Sequence, residues 1–217
     1  MSNVEWVKIT EASGTAVPVR GYSINTDVII PARFLKCISW NELGEHAFQD
    51  KRYENGQPLD HPFNEPRFQN ASLLFVNEDF GSGSSREHAP QALKHWGNNG
   101  IKVIVADSYA GIFERSCRRV GIPAVTLSED FSVKGLMSIV EEYPDVQFNL
   151  DLKEKKLTYP FDGKTFEVPI QIPEPARIAL MEGYWDARKM LLQNMNKVRE
   201  FESRAHPIVD YSKLDNR

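Results

Sequence analysis

The chain carries only two cysteines, Cys37 and Cys117, among 217 residues. That scarcity excludes a disulfide framework and leaves no set of thiolates for a metal, so no metal ligand is expected on this chain. Long apolar runs are missing as well. No stretch approaches the roughly 20 residues needed to span a bilayer, and the opening MSNVEWVKIT lacks the charged-then-apolar order of a secretory leader. No membrane partner is expected, and a reducing, cytoplasmic setting is. Positive charge is not in excess. Lys and Arg number 26 against 30 Asp and Glu, a net charge of −4, which argues against a nucleic-acid partner. There is no internal repeat, no low-complexity segment and no Gly-Lys-Ser/Thr of a P-loop.

A hydrophobic share of 41% with 26% charge suits one domain with an appendage. Residues 4–9 and 15–20 read as short strands meeting around Gly14. Asn25-Thr26-Asp27 is a polar turn feeding Val28-Ile29-Ile30. Ser39-Trp40-Asn41-Glu42 has capping-box spacing, so a helix is expected over about 40–48. Residues 50–70, rich in Pro, Asn, Gly and charge, read as a long irregular excursion. The centre alternates between strand and helix. Strands are expected at 72–76, 102–106 and 123–127, near-continuous apolar runs of the kind found in parallel sheets. Helices are expected after each of them, with Ser108 capping the one over 109–119. The pattern then becomes an antiparallel meander, 146–152, 156–159 and 165–168, with an Asp162-Gly163 turn. From Pro173 on it is helical, with one long charged helix near 184–203.

Between strand 72–76 and its helix lies Gly81-Ser82-Gly83-Ser84-Ser85-Arg86-Glu87-His88. A glycine turn at a strand end gathers backbone N–H groups at one spot and favours an anion there. Arg86 adds a planar fork able to grip a carboxylate. A dinucleotide fingerprint fails, because Arg86 stands where the third glycine belongs. Ser84 and Glu87 have capping-box spacing, so a glycine connection leading into a capped helix accounts for the same residues without any ligand. Pro90 is tolerated only in a first turn, which moves the start of the regular helix toward His88. His88 has no second ligand at metal spacing. Thr26-Asp27 reads equally well as a turn in which Asp bonds its own backbone.

The run from Gly81 to Ala89 resembles the signature of the small, swivelling domain of the aconitase superfamily. Asn25 to Leu35 is similar to that domain's N-terminal motif, and Lys102 to Phe113 to its second strand–helix unit. The resemblance covers most of residues 15–185. It implies an α/β fold, a swivelling β/β/α domain of the aconitase small-subunit type, with a mixed sheet, flanking helices and a C-terminal helical tail. Residues 1–183 would form the swivel domain and 184–217 a helical extension. It further implies a hydro-lyase that removes water from a small dicarboxylic acid and restores it one carbon over. Isopropylmalate, in leucine biosynthesis, is the expected substrate, and related alkyl-malates, citraconate or homoaconitate are the alternatives. A carboxylate-binding module without catalysis is the rival reading. A 4Fe–4S cluster is expected on a large-subunit partner and no cofactor on this chain. Ser84 would be the catalytic base. Ser85, Arg86, Thr26, Asp27 and the segment Arg33, Phe34, Leu35 and Lys36 would bind substrate, the last four near its variable side group. Gly81, Gly83, Glu87 and His88 would support them.

Overall fold

A computed structural model describes residues 7–83, 86–186 and 195–204. Two short strands, β1 (Glu11–Gly14) and β2 (Ala16–Val19), precede helix α1 (Thr26–Ile29), a 3-10 turn at Ala32–Lys36, α2 (Trp40–Glu45), α3 (Gln49–Arg52) and a small hairpin, β3 (Tyr53–Glu54) with β4 (Gln57–Pro58). Three strand–helix units come next: β5 (Leu73–Val76) with α4 (His88–Lys94), β6 (Val103–Ala106) with α5 (Gly111–Arg119), and β7 (Ala124–Leu127) with α6 (Val133–Glu142). The meander β8 (Phe148–Asp151), β9 (Lys156–Phe161) and β10 (Lys164–Gln171) leads to α7 (Glu174–Glu182) and α8 (Met195–Arg204).

Eight strands form one mixed sheet in the order β1-β8-β9-β10-β7-β6-β5-β2. The β2, β5, β6 and β7 strands run parallel, and the remaining pairings are antiparallel. Burial follows that division. Every residue of β2, β5 and β6 is buried, whereas β8 and most of β9 alternate, as expected for a parallel half covered on both faces and an antiparallel half covered on one. At Asp162-Gly163 both residues have positive φ, 49° and 69°, and Phe161 pairs with Lys164. This is the primed turn that matches strand twist in a two-residue hairpin.

The sheet is not flat. Phe75 of β5 and Phe148 of β8 have ring centroids 4.9 Å apart, although four strands separate them in the sheet order. Laid flat, that interval is about 24 Å at the usual strand spacing. The sheet therefore curls, and the single residue Thr15 bridges its two edge strands. This corrects the hairpin expected around Gly14: β1 and β2 lie at opposite ends of the sheet, and residues 7–9 are not a strand. Gly14 is needed for another reason. A Cβ there would lie 2.8 Å from the Ser72 Cβ.

Two expected caps are not made. Ser39 sits at the N-cap of α2 without a side-chain bond to it, and that helix stops at Glu45, with α3 resuming at Gln49. The N-cap of α5 is Ala110, not Ser108. The Ser108 hydroxyl instead accepts the Asp79 N–H at 2.9 Å. The excursion over 50–70 has a core of its own. Phe63 and Phe68 are buried, Phe63 stacks on Trp96 at 3.7 Å, and the buried Arg52 guanidinium donates to Asn64 Oδ1 and to the Glu45 and Ala47 carbonyls. Of the expected helix near 184–203, residues 187–194 lie outside the described residues. Trp185 packs on Gly121 and donates its indole N–H to the Val7 carbonyl at 2.8 Å.

A Cβ on Gly44 would lie 2.2 Å from the carbonyl oxygen of His95, the C-cap of α4. The overpacking, about 1–3 kcal/mol, exceeds the ~1 kcal/mol that alanine gains over glycine in a helix. Gly44→Ala should therefore lower the urea midpoint, and an unchanged or raised midpoint would contradict the close crossing. His61 Nδ1 accepts the Phe63 N–H at 3.1 Å, which only a neutral ring can do. Burial first, then the nearby Arg52 charge, push its pKa from 6.5 down to about 4. The unfolded ring thus takes up a proton that the folded ring refuses. Stability from this group is complete above pH 6.5 and is lost as pH falls toward 4, by about 1–2 kcal/mol after allowance for partial exposure. His61→Asn, which keeps an acceptor but does not titrate, should flatten this part of the stability–pH profile.

Candidate active site

The C-terminal ends of the parallel strands converge on one surface, the usual place for a site in such sheets. The turn after β5 is held there from both sides by backbone pairing. Gly81 N–H donates to the Ile24 carbonyl at 2.7 Å, and Thr26 N–H to the Ser82 carbonyl at 2.8 Å. On the other side Phe80 N–H donates to the Ser108 carbonyl and Ala110 N–H to the Phe80 carbonyl, both at 3.1 Å. Gly81 has φ +80°, and a Cβ there would fall 2.0 Å from Phe113 Cγ. Only glycine fits. Gly83, at φ +101°, would bring a Cβ to 3.3 Å from Thr26 Oγ1.

Thr26 is buried and Asp27 is exposed, on a helical turn whose N-cap, Asn25, accepts the Val28 N–H at 2.9 Å. The polar turn of the sequence is thus the start of a one-turn helix. Asp27 does not bond its own backbone there. Its Oδ1 accepts a hydrogen bond from Arg86 Nη1, in an ion pair whose side chains are 54% and 26% exposed. That bond uses one of the five N–H donors of the guanidinium. Arg86 is thereby aimed from the turn across the surface, with most of its fork still open to a carboxylate. Glu87 is the N-cap of α4, and its Oε1 accepts from Gln91 Nε2 at 3.1 Å. His88 meets Trp40 edge-on at 5.5 Å. Ser84 and Ser85, the expected base and its neighbour, lie outside the described residues.

The 3-10 segment at Ala32–Lys36 is tied to what lies behind it. Arg33 makes a two-pronged pair with Asp50, and this guanidinium bond holds the Asp50 carboxyl below its ordinary pKa. Phe34 stacks on His46 at 3.9 Å, and the Arg33 guanidinium lies 4.5 Å from the Phe34 ring centre. Leu35 is half-buried and Lys36 exposed. Cys37 follows, its thiol pKa raised by burial and by the Glu42 charge, while Cys117 is fully buried in α5.

Sequence reasoning missed Asn77, buried just past the end of β5. Its Oδ1 accepts the Gly21 N–H at 3.1 Å, and its Nδ2 donates to Asp107 Oδ2 at 3.3 Å. Asp107 in turn accepts the Val133 N–H at the start of α6. One amide thus ties together the loops that follow β2 and β6. The available signal was a polar side chain directly after a fully apolar strand.

Comparison with known proteins agrees with this architecture. The family of the aconitase C-terminal domain matches residues 7–130. Over 199 residues the chain is 43% identical to a 3-isopropylmalate dehydratase small subunit of Thermus thermophilus, covering 91% of this chain and 94% of the relative. The corresponding subunit of Synechocystis is 40% identical over 191 residues, covering 88% and 90%. The crystal structure of a 3-isopropylmalate dehydratase from Methanocaldococcus jannaschii superposes with a TM-score of 0.61 over 89% of this chain and 99% of that one, at 24% identity, a likeness of fold alone. A curled mixed sheet carrying a clamped glycine turn, and relatives this similar over nearly their whole length, lead to one conclusion: the chain belongs to the aconitase C-terminal domain family, among the 3-isopropylmalate dehydratase small subunits.

Proposed function

We propose that this chain is the small subunit of a 3-isopropylmalate dehydratase, a hydro-lyase of leucine biosynthesis that works only with a large subunit. The observation that carries the reading is Arg86, presented by the clamped turn and oriented by Asp27. An Arg fork fits the carboxylate of a malate through two parallel charge-assisted bonds. Ser84 follows Gly83 in the chain and precedes Arg86 by two positions. Its hydroxyl, as alkoxide, takes the carbon-bound proton. Serine is a weak base, and a positive charge such as that of Arg86, two positions on in the chain, would favour its ionised form. Leu35 and Phe34 supply apolar surface for an isopropyl group. A longer acidic side group would instead call on Lys36.

The iron–sulfur cluster of the family does not fit here. Such clusters are held by sets of cysteine thiolates, and this chain has two cysteines, of which Cys117 is fully buried. The cluster therefore belongs to the partner, and this chain supplies the carboxylate clamp and the proton acceptor. Among the described residues no helix is long and apolar enough to cross a membrane.

Anaerobic co-purification with the large subunit, followed by an assay of isopropylmalate against citraconate and homoaconitate, tests the reading. Isopropylmalate should turn over fastest, and neither subunit should be active alone. Ser84→Ala should lower kcat by about 10²–10⁴, the usual share of proton transfer, with substrate still bound. Full activity in that variant would remove Ser84 as the base. Arg86→Lys should chiefly raise KM, by about 10–100-fold. Substrate binding without turnover in a cluster-loaded wild-type complex would favour the carboxylate-binding module.

A further inference from the structure

Among the described residues, one cluster of metal-ligating side chains stands outside the proposed carboxylate clamp. Cys37, Glu42 and His46 bring a thiol sulfur, a carboxylate oxygen and an imidazole nitrogen within 4.8 Å of one another. No carboxylate cluster is involved, because each donor is of a different type. Cys37 is the residue on which the 3-10 turn ends, and Glu42 and His46 are four positions apart across the end of α2, so they share one helix face. The fold therefore joins two elements at this point, and a group bound there would bridge them.

We propose that Cys37, Glu42 and His46 form a site for a single divalent cation of the zinc type, with a fourth position left to water or another ligand. A thiolate, an imidazole and a carboxylate make the borderline donor set that zinc accepts in tetrahedral geometry with three protein ligands. With metal bonds of the usual lengths, the donors would lie about 3.5 Å apart. Since no two donors lie more than 4.8 Å apart, closing to that distance needs a movement of about 1 Å at most between any pair. The His46 ring is already fixed. It stacks on Phe34 at an interplanar angle of 13°, and Nδ1 lies 3.4 Å from Gln49 Oε1. When Nδ1 donates there, Nε2 carries the lone pair, the second contact that commonly orients a ligating histidine. Cys37 and Glu42 each surrender any proton they hold when the metal binds. A bound cation would pin the 3-10 turn, and with it Phe34, to α2.

The test uses the full chain, free of any tag and stripped with a chelator, and needs neither partner nor turnover. Titration with cobalt(II) should give one equivalent of a species showing a thiolate-to-cobalt absorption band and intense visible bands of a tetrahedral site, and zinc should abolish both. Cys37→Ser should lose the thiolate band, while Cys117→Ser keeps it. His46→Gln and Glu42→Gln should each weaken zinc binding by at least about tenfold, the loss that even outer-shell changes bring. In the unaltered chain, zinc should also protect Cys37 from alkylation, read by peptide mass. That measurement decides the matter even if a variant fails to fold. No cobalt–thiolate band, a band that survives Cys37→Ser, or alkylation of Cys37 indifferent to zinc would overturn the site.

Discussion

The site depends on the backbone pairing that holds residues 80–82 between two neighbouring loops. β5 ends at Val76, yet its neighbours stay in register beyond it through isolated bridges, Asn25 with Ser82 and Phe80 with Tyr109. A loop at the end of a strand has many conformations, and each ordered residue costs about 1–2 kcal/mol of backbone entropy. Four backbone hydrogen bonds, the Asn77 amide and the Phe80–Phe113 contact at 5.2 Å offset that cost for this loop. The strained requirement is concentrated in Gly81, where Phe113 occupies the space of a side chain. A rigid Gly81 then sets the direction in which Ser82 and Gly83 leave the sheet.

Much of this was legible wherever the signal is local. Leu73–Val76 and Val103–Ala106 are apolar throughout because both their faces are covered, and the chain pattern alone conveys that. Asp162-Gly163 specifies its own turn. Pro90 forced the helix start toward His88, and α4 does begin there. What stayed hidden is set by partners distant in sequence. Thr15 joins two strands that never pair with each other, and the curl that brings Phe75 to Phe148 joins residues far apart in the chain. Ser39 and Ser108 have cap-forming chemistry, but Ser108 finds a better acceptor role on the Asp79 N–H. Arg33 is expected near substrate from its motif, and its two-pronged pairing with Asp50, 17 positions away, is not legible in the chain.

The Asp27–Arg86 pair raises a question of energetics. Half-exposed ion pairs contribute about 0–1 kcal/mol, because water screens them. Folding stability therefore does not explain it. Its value is in orientation: a free arginine samples many rotamers, and fixing it beforehand would remove that cost from the proposed substrate binding. Covering the surface with a second subunit would lower the local dielectric and strengthen every charge contact inside it. A lone Arg86 would then suffer uncompensated desolvation, whereas one already bonded to Asp27 keeps a counter-charge while its other N–H groups would be left for the proposed dicarboxylate. The same acid must not neutralise the clamp. A single bond to Nη1, rather than a two-pronged grip like that of Asp50 on Arg33, leaves the guanidinium fork available. The two arginines thus differ in how they are held: Arg33 is tied to Asp50 by two bonds, whereas Arg86 keeps donors for the proposed ligand.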